Sequence, residues 1–200
     1  KQFYEKGYYD EETLEIYDKQ LTENGTIIHR ERQDFLQQLT PVFNKYYSAI
    51  SEKNEHVEIE YKSQLNSQNL SILLDQSKLV DRMNKTTRSG THKDDIIFKM
   101  NDYPIKKIGS QGQQKSFLIA LKLAQFDFIK KKLGFKPILL LDDIFDKLDD
   151  HRILKIIEFV NKKIFGQVFI TDTHEERSAE ILAKAKISYS IYTIENGKIT

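Results

Sequence analysis

Residues 137–143 of this 200-residue chain read Pro-Ile-Leu-Leu-Leu-Asp-Asp, so that an apolar run ends directly in two carboxylates. Such a run after a proline predicts a short strand that is buried on both faces, as in parallel sheets. Open α/β sheets bind ligands beyond the carboxyl ends of their strands, where nucleotide hydrolases use carboxylates to bind Mg²⁺ and to orient water. Asp142 and Asp143 are therefore candidate site residues, although an acidic loop before a helix gives the same pattern.

The sequence on both sides of this run alternates between helical and extended patterns. A long helix is predicted from about Ser110 to Lys132, with Gly134 just beyond its end. The predicted elements after the run are a helix at 149–163, a strand at 167–171, a helix at 175–184, a strand at 187–194 and a turn at Asn196-Gly197. This alternation predicts an α/β fold for residues 86–200.

Residues 1–85 show a different pattern, which predicts a mostly helical arm lobe. Apolar residues recur at helical spacing from Asp10 to about Ser51, and interruptions are expected at Gly25 and Pro41. Further predictions are a half-buried strand at 57–61, a helix at 68–85, a domain boundary in the polar stretch 86–92, and a hairpin of 96–99 with 103–108 around Asn101-Asp102.

The composition excludes several classes of protein. Hydrophobic residues make up 39% and charged residues 30% of the chain, which is typical of a globular protein of one domain or two small ones. No run of about 20 apolar residues is present to span a membrane, and a cytoplasmic location is expected. Cysteine is absent, so disulfides and thiolate metal sites are excluded. Residues 1–85 hold 11 basic and 15 acidic side chains, whereas residues 86–200 hold 20 and 15, so the basic excess lies in the second part.

A second candidate site lies at the start of the long predicted helix, where residues 110–116 read Ser-Gln-Gly-Gln-Gln-Lys-Ser. The free amides of a first helical turn, a serine hydroxyl and a glycine that permits close approach together make a site for an anion such as phosphate. The alternative is that Ser110 only caps the helix and Gly112 lies in its first turn.

The order of these motifs resembles that of ABC-type P-loop ATPases of the SMC- and Rad50-like group. The chain is most similar to the C-terminal half of the RecF family of DNA repair ATPases, through SQGQQKS at 110–116, PILLLDD at 137–143, DKLDD at 146–150 and QVFIT at 167–171. The segment GTHKDD at 90–95 resembles the GPHRDD of that family, with Thr91 in place of the usual proline. The resemblance spans most of the chain, and its specific motifs lie within residues 90–173.

The resemblance implies a role for each motif residue. The expected signature motif, which meets the γ-phosphate of an ATP held by the opposite protomer, consists of Ser110, Gln111, Gly112, Gln113 and Gln114. Asp142 is the expected Mg²⁺ ligand, and Asp143 takes the position of the catalytic base.

Two further segments receive roles in the same way. Asp146 and Asp149 belong to the expected D-loop along the dimer interface. Thr173 or His174 is the expected phosphate sensor, with the register between them left open.

For the intact protein, the resemblance implies a dimer that forms with ATP and Mg²⁺ on DNA and comes apart after hydrolysis. Its expected role is in DNA replication, recombination, repair and the SOS response, where it would support recombinase loading at single-strand gaps with a RecR-type mediator protein. No membrane partner is expected.

The 200 residues contain no G-x-x-x-x-G-K-[ST] segment, the loop whose amides and lysine bind the β- and γ-phosphates. The chain begins at Lys1, so we expect a fragment of a longer protein that binds ATP weakly or not at all by itself. Two alternatives remain open from the sequence. The chain is another ATPase, such as a different SMC-like head or a transporter cassette, or it is a non-catalytic module that binds DNA or protein.

Overall fold

The computed structural model describes residues 10–51, 55–162, 164–185 and 187–199. Contacts divide the chain into two units, Lys1–Pro41 with His56–Ile105 and Val42–Glu55 with Lys106–Thr200. The helices are α1 Glu11–Ser51, α2 Leu70–Asn84, α3 Ile105–Ile108, α4 Gln111–Leu133, α5 Asp150–Asn161 and α6 Glu175–Lys184. The strands are β1 Val57–Lys62, β2 Asp95–Met100, β3 Tyr103–Pro104, β4 Leu139–Leu141, β5 Val168–Ile170, β6 Ile194–Glu195 and β7 Lys198–Ile199.

Helix α1 runs without a break for 41 residues, so the interruptions predicted at Gly25 and Pro41 are wrong. Glycine costs a helix only about 1 kcal/mol relative to alanine, so a single glycine does not end a long helix. A Cβ atom built on Gly25 would lie 2.5 Å from Cδ2 of Leu70, so a larger residue here would require the Leu70 side chain to shift. The proline is accommodated inside the helix, beside the Thr40 hydroxyl, which donates to the carbonyl of Leu36 at 2.7 Å.

The first unit contains a three-stranded antiparallel sheet in the order β1-β2-β3. Val57 pairs with Met100 and Lys62 with Asp95, and the inward residues Val57 and Ile59 are buried as their alternation predicts. Asn101 and Asp102 both have positive φ angles, as a two-residue hairpin turn requires. The predicted hairpin is confirmed, but its second strand has only two residues before α3 begins.

The GTHKDD segment is fixed within the first unit by the buried side chain of Asp94. Its Oδ2 atom accepts hydrogen bonds from Nη1 of Arg32 at 2.7 Å and from the hydroxyl of Tyr61 at 2.5 Å. Arg32 also donates to the carbonyl of Thr91 at 2.8 Å. Burial and the bond to Asp94 raise the pKa of Tyr61, which keeps this donor protonated. The motif thus has a clear structural role inside this unit.

The core of the second unit lies between the end of α1 and the middle of α4. The rings of Phe43 and Phe117 have their centroids 4.5 Å apart, and those of Tyr47 and Phe117 are 5.8 Å apart. At the far end of α4, the Tyr46 hydroxyl donates to Asp127 at 2.6 Å. The predicted helix at 110–132 is confirmed as α4, and the predicted helices at 149–163 and 175–184 as α5 and α6, with Lys163 outside the described residues.

Strands β4 and β5 pair in parallel, with Leu139 opposite Val168 and Leu141 opposite Ile170. The expectation that this strand is buried on both faces is wrong. Leu139 and Leu141 are buried, but Leu140 between them is 63% exposed. Its partner Phe169 on β5 is about half exposed. Among the described residues this sheet has two strands and is covered on one face. The prediction failed because an apolar run does not show whether a second layer covers the strand.

The last part of the chain differs from the prediction. Residues 187–193 form no regular element, so the predicted strand at 187–194 is wrong. The turn at Asn196-Gly197 is present and joins β6 to β7 in a short hairpin.

The two units also divide the chain elsewhere than at residues 85–86, because part of α1 belongs to the second unit. That residues 1–85 are an arm lobe and 86–200 an ATPase head stays a prediction. No helix in the described part of the chain is long and apolar enough to cross a membrane.

We predict that Phe43→Ala lowers the free energy of unfolding by about 3–5 kcal/mol, since it removes a fully buried ring from the α1–α4 contact. Urea unfolding followed by circular dichroism measures this loss. The matched control is Leu79→Ala, which truncates a side chain that is 70% exposed and should change the stability by less than about 0.5 kcal/mol. Equal losses for the two variants would contradict the description of this core.

Candidate functional site

The first turn of α4 is closed by a capping box. Ser110 is the N-cap, and its Oγ atom accepts from the amide of Gln113 at 3.2 Å. The Oε1 atom of Gln113 in turn accepts from the amide of Ser110 at 2.8 Å. These bonds leave the amides of Gln111 and Gly112 without an acceptor among the described residues. Because the start of a helix is electropositive, these two amides and the exposed Ser110 hydroxyl form a surface suited to an anion.

The glutamine side chains that follow are engaged within the protein. Nε2 of Gln113 donates to Oε1 of Glu55 at 2.9 Å, and Oε2 of the same carboxylate accepts from the Tyr47 hydroxyl at 2.6 Å. Burial, together with the bond to this carboxylate, raises the pKa of Tyr47, so the hydroxyl remains a donor. Gln114 donates from Nε2 to the carbonyl of Gly109 at 2.8 Å. Both glutamines therefore hold the start of α4 in place.

Asp142 and Asp143 follow β4 and are bound by Thr171, which follows β5. The Thr171 hydroxyl donates to Oδ1 of Asp142 at 2.5 Å and accepts from the amide of Asp143 at 3.1 Å. The amide of Thr171 donates to the carbonyl of Leu141 at 3.0 Å. Parallel pairing brings the carboxyl ends of the two strands to one edge of the sheet, and this places the threonine beside the acidic pair.

Lys115 connects the second turn of α4 to the acidic pair. Its Nζ atom lies 3.8 Å from Oδ2 of Asp143. The Asp143 side chain is about half exposed, so this ion pair adds little stability. Its significance is geometric, since it shows that the candidate signature helix and the candidate catalytic carboxylate lie side by side.

Arg152 joins α4 to the D-loop, residues 146–149, through a buried guanidinium. Asp149 caps α5 by accepting from the amide of Arg152 at 2.9 Å, and its Oδ2 lies 3.3 Å from Nε of the same arginine. Nη1 of Arg152 donates to the hydroxyl of Ser116 at 3.0 Å, and Ser116 donates to the carbonyl of Gly112 at 2.8 Å. A continuous set of hydrogen bonds thus runs from Asp149 to the first turn of α4.

Gly112 lies against the D-loop, where a side chain would be crowded. A Cβ atom built at this position would lie 3.1 Å from the carbonyl oxygen of Lys147 and 3.8 Å from Nη1 of Arg152. A carbonyl of the main chain cannot move as a flexible side chain does, so a larger residue would push the D-loop away from α4. The glycine thus has a packing reason that the bare helix-cap interpretation does not supply.

Residues 172–174 form a turn that begins α6. Asp172 accepts from the amide of His174 at 3.0 Å and from the hydroxyl of Ser178 at 2.7 Å. The exposed side chains of Thr173 and His174 contact each other at 3.0 Å. The structure places Thr171 rather than Thr173 against Asp142, and the phosphate-sensing role of Thr173 or His174 stays a prediction. Asp146 is about half exposed and lies 3.6 Å from Nζ of Lys147.

The residues present fit a magnesium ion that is shared with a phosphate ligand. Among the residues that the structure describes, no three Asp, Glu, His or Cys side chains converge to form a complete metal cage. Proteins bind Mg²⁺ mostly through one or two carboxylates, with water and substrate phosphates as the other ligands. Asp142 is exposed and uses only Oδ1 for the bond to Thr171, so Oδ2 remains for a metal.

The site therefore brings together the first two turns of α4, the acidic pair and the D-loop, all within the second unit. Sequence reasoning missed three of the side chains that join them, which are Thr171, Arg152 and Ser116. A hydroxyl residue directly after a strand that precedes a helix was the available signal for Thr171. Arg152 and Ser116 form their contact across 36 residues of sequence and give no local signal.

Comparisons with solved structures give the class of protein. The structure titled "Structure of the recombination mediator protein RecF-ATPrS in RecFOR pathway" matches with a TM-score of 0.74 and 27% identity, covering 99% of this chain and 52% of that one. The structure of RecF with ATP from the same pathway matches with a TM-score of 0.70 and 29% identity, covering 84% and 47%. The predicted α/β fold, that of RecF in the ABC ATPase family, is confirmed. No family model matches the chain.

Curated relatives make the assignment specific. The "DNA replication and repair protein RecF" of Flavobacterium johnsoniae is 50% identical over 186 residues, which are 93% of this chain and 52% of the relative. That of Azobacteroides pseudotrichonymphae is 46% identical over 188 residues, or 94% of this chain and 51% of the relative. The chain is thus a homologue of RecF and corresponds to its C-terminal half, as the resemblance predicts. It spans about half the length of the curated relatives it matches.

We predict that Thr171→Val lowers the free energy of unfolding by about 1 kcal/mol, because it removes the donor to Asp142 and the acceptor for the amide of Asp143. Thr171→Ser keeps the hydroxyl and is the matched control, expected to retain most of the stability. Thermal unfolding of the two variants at pH 7 measures the difference. A serine variant as unstable as the valine variant would show that the hydroxyl does not hold the acidic pair.

Proposed function

We propose that this chain is the C-terminal half of a RecF-type ATPase that acts in DNA repair and recombination, and that it contributes one side of a composite ATP site. The observation that supports this most directly is the contact between the start of α4, Asp143 and the D-loop inside one unit. In ABC-type ATPases these three segments contribute to the ATP sites at the dimer interface. RecF relatives at 50% and 46% identity support the same function.

In the proposed site the chain offers two surfaces of opposite character. The amides of Gln111 and Gly112, with the hydroxyl of Ser110, face a γ-phosphate bound by the opposite protomer. The carboxylate of Asp142, oriented by Thr171, binds Mg²⁺ on the ATP of its own protomer. A bound Mg²⁺ would neutralise charge that develops on the phosphates during transfer.

Asp143 is the proposed catalytic base that orients the attacking water. Its main chain is fixed by the bond from its amide to Thr171, and its φ angle of 51° ends the extended conformation of the strand. Nζ of Lys115 lies 3.8 Å from its Oδ2 atom, on the side of α4. Within the proposed function, Asp143 therefore takes a proton from water while Asp142 binds the metal.

The proposed partners follow from the composite site and from the relatives. ATP shared by two protomers stabilises the dimer by mass action, since it binds the associated form more tightly than the monomer. The relatives are described as DNA replication and repair proteins, and a matched RecF structure as a recombination mediator of the RecFOR pathway. We propose the corresponding partners here, namely DNA at single-strand gaps, a second copy of the protein and a RecR-type mediator during recombinase loading.

We predict that the isolated 200 residues show no saturable binding of ATP at micromolar concentrations, because they contain no loop of the G-x-x-x-x-G-K-[ST] type. A titration by isothermal calorimetry with Mg²⁺ present measures this. The matched comparison is the complete protein under the same buffer conditions, which should bind. Tight ATP binding by the 200 residues alone would contradict the composite site.

We predict that two substitutions in the complete protein separate dimer formation from hydrolysis. Asp143→Asn should retain ATP-dependent dimers and reduce turnover at least about 100-fold, since general-base catalysis contributes about 10²–10⁴-fold. Ser110→Arg should abolish the dimers, because it places a bulky side chain where the opposite phosphate docks. Size-exclusion chromatography with ATP and a phosphate-release assay measure the two effects.

Normal hydrolysis by both variants would show that the site assignment is wrong. If the unaltered protein binds DNA but neither hydrolyses ATP nor dimerises with it, the non-catalytic binding module is the better description. Measuring DNA affinity against salt concentration with the complete protein and with the 200 residues alone then locates the DNA-binding part.

A further inference from the structure

The loop between β4 and α5 has a main-chain shape that its own residues do not favour. Both Asp143 and Lys147 have positive φ angles, 51° and 61°, which cost non-glycine residues about 1 kcal/mol or more each. The side chains of Ile144, Phe145 and Leu148 are buried, so they fix the inner face of the loop. Asp146 and Lys147 are exposed, so their side chains do not anchor the loop, and contacts of its main chain with the rest of the fold are left to hold its shape.

Arg177, in the first turn of α6, supplies such contacts. Its Nη1 atom donates to the carbonyl of Phe145 at 2.9 Å, and its Nη2 atom donates to the carbonyl of Leu148 at 2.9 Å. Nη2 also donates to Oδ1 of Asp150, the first residue of α5, at 3.1 Å. One guanidinium thus bridges the residue before the D-loop, Leu148 within it and the first residue of the helix that follows.

The start of α6 is itself fixed, so the arginine has a firm base. Asp172 accepts from the amide of His174 and from the hydroxyl of Ser178, which are on either side of Arg177 in sequence. One residue before Asp172, Thr171 binds Asp142 and the amide of Asp143. The segment 171–178 therefore contacts the loop at two places, with the threonine at its beginning and the arginine at its end.

We infer that Arg177 is a positioning residue that holds the D-loop in the shape required for the ATP-dependent dimer. This inference rests on the proposed function, which assigns the D-loop to the dimer interface. Arg177 acts through the main chain of residues 145–148 and so sets where Asp146 and Asp149 are presented to the partner protomer. It does not take part in binding the nucleotide to its own protomer.

The planar guanidinium is suited to this task in a way that lysine is not. Two carbonyls three residues apart accept from two different nitrogens of one rigid group, and an ammonium on a flexible stem can satisfy only part of this set. Arg177→Lys should therefore retain part, but not all, of the dimer strength that Arg177→Ala loses. Asp150→Asn removes the ion pair and leaves both carbonyl bonds, so its effect should be small.

The test compares these variants in the complete protein, with Arg30→Ala as the matched control. Arg30 is an exposed arginine of α1 whose side chain lies 3.8 Å from Glu31. We expect Arg177→Ala to weaken the ATP-dependent dimer about tenfold or more, by analytical ultracentrifugation, because it removes charge-assisted bonds that shape the interface. The affinity of the monomer for a fluorescent ATP analogue should stay within about twofold of that of the unaltered protein. The ATP-dependent dimer should weaken in the order Arg30→Ala, Asp150→Asn, Arg177→Lys, Arg177→Ala, with the last variant weakest.

Hydrogen exchange distinguishes positioning from a general loss of stability. In Arg177→Ala the amides of residues 144–149 should exchange about tenfold faster or more, while those of the middle of α4 should not change. Uniformly faster exchange across the second unit, or a dimer as strong as that of the unaltered protein, would overturn the inference.

The exchange measurement also separates this inference from the proposed function. If the unaltered protein forms no dimer with ATP, the proposed function fails whatever the variants do. Selective exchange in residues 144–149 would then still show that Arg177 holds this loop, and its absence would show that it does not.

Discussion

A buried guanidinium fixes the distance between the two halves of the candidate site. Arg152 is about nine-tenths buried, and a buried charge is stable only when it is paired and hydrogen-bonded. Its partners are Asp149 at the end of the D-loop and Ser116 in α4, and Ser116 continues the set to Gly112. Moving α4 away from the D-loop would leave this charge without Ser116. The hydrogen bonds of Arg152 therefore tie the position of the D-loop to that of the start of α4.

The loop that carries Asp142 and Asp143 also depends on contacts with neighbouring elements. It follows a strand of only three residues, whose second face is exposed at Leu140, so the strand itself supplies little rigidity. Its positive φ angles at Asp143 and Lys147 require support from outside the loop. Thr171 supplies this support at the first of these positions, and Gly112 permits a close approach at the second. The candidate carboxylates and the loop that carries them are thus positioned by Thr171 after β5 and by contacts from α4 and α5, all within one unit.

The sequence predicts those parts of the fold that depend on local patterns. Ser110 as a helix cap, α4 itself and the Asn101-Asp102 turn follow from residue types within a few positions of one another. The continuity of α1 through Gly25 does not, because the residues next to Gly25 in sequence do not show its neighbour Leu70, which lies 45 positions later in the chain. The exposure of Leu140 cannot be predicted locally either, since an apolar run gives no information about the layer that faces it. Within the site, local patterns indicate Asp142, Asp143 and the helix start at Ser110, and the resemblance assigns their expected roles, whereas Thr171 and Arg152 act across 29 and 36 residues of sequence.

The capping box also limits which residues of the signature segment can meet a phosphate. Gln113 uses its amide group on Ser110 and Glu55, and Gln114 uses its own on Gly109. These bonds direct both glutamine side chains toward acceptors within the protein, and each Nε2 atom has only one hydrogen left to donate. The Ser110 hydroxyl accepts from Gln113 and still has its hydrogen to donate, because a hydroxyl is both donor and acceptor. The geometry therefore favours recognition by this hydroxyl and the amides of Gln111 and Gly112, while the glutamine side chains keep the helix start in the shape that presents them.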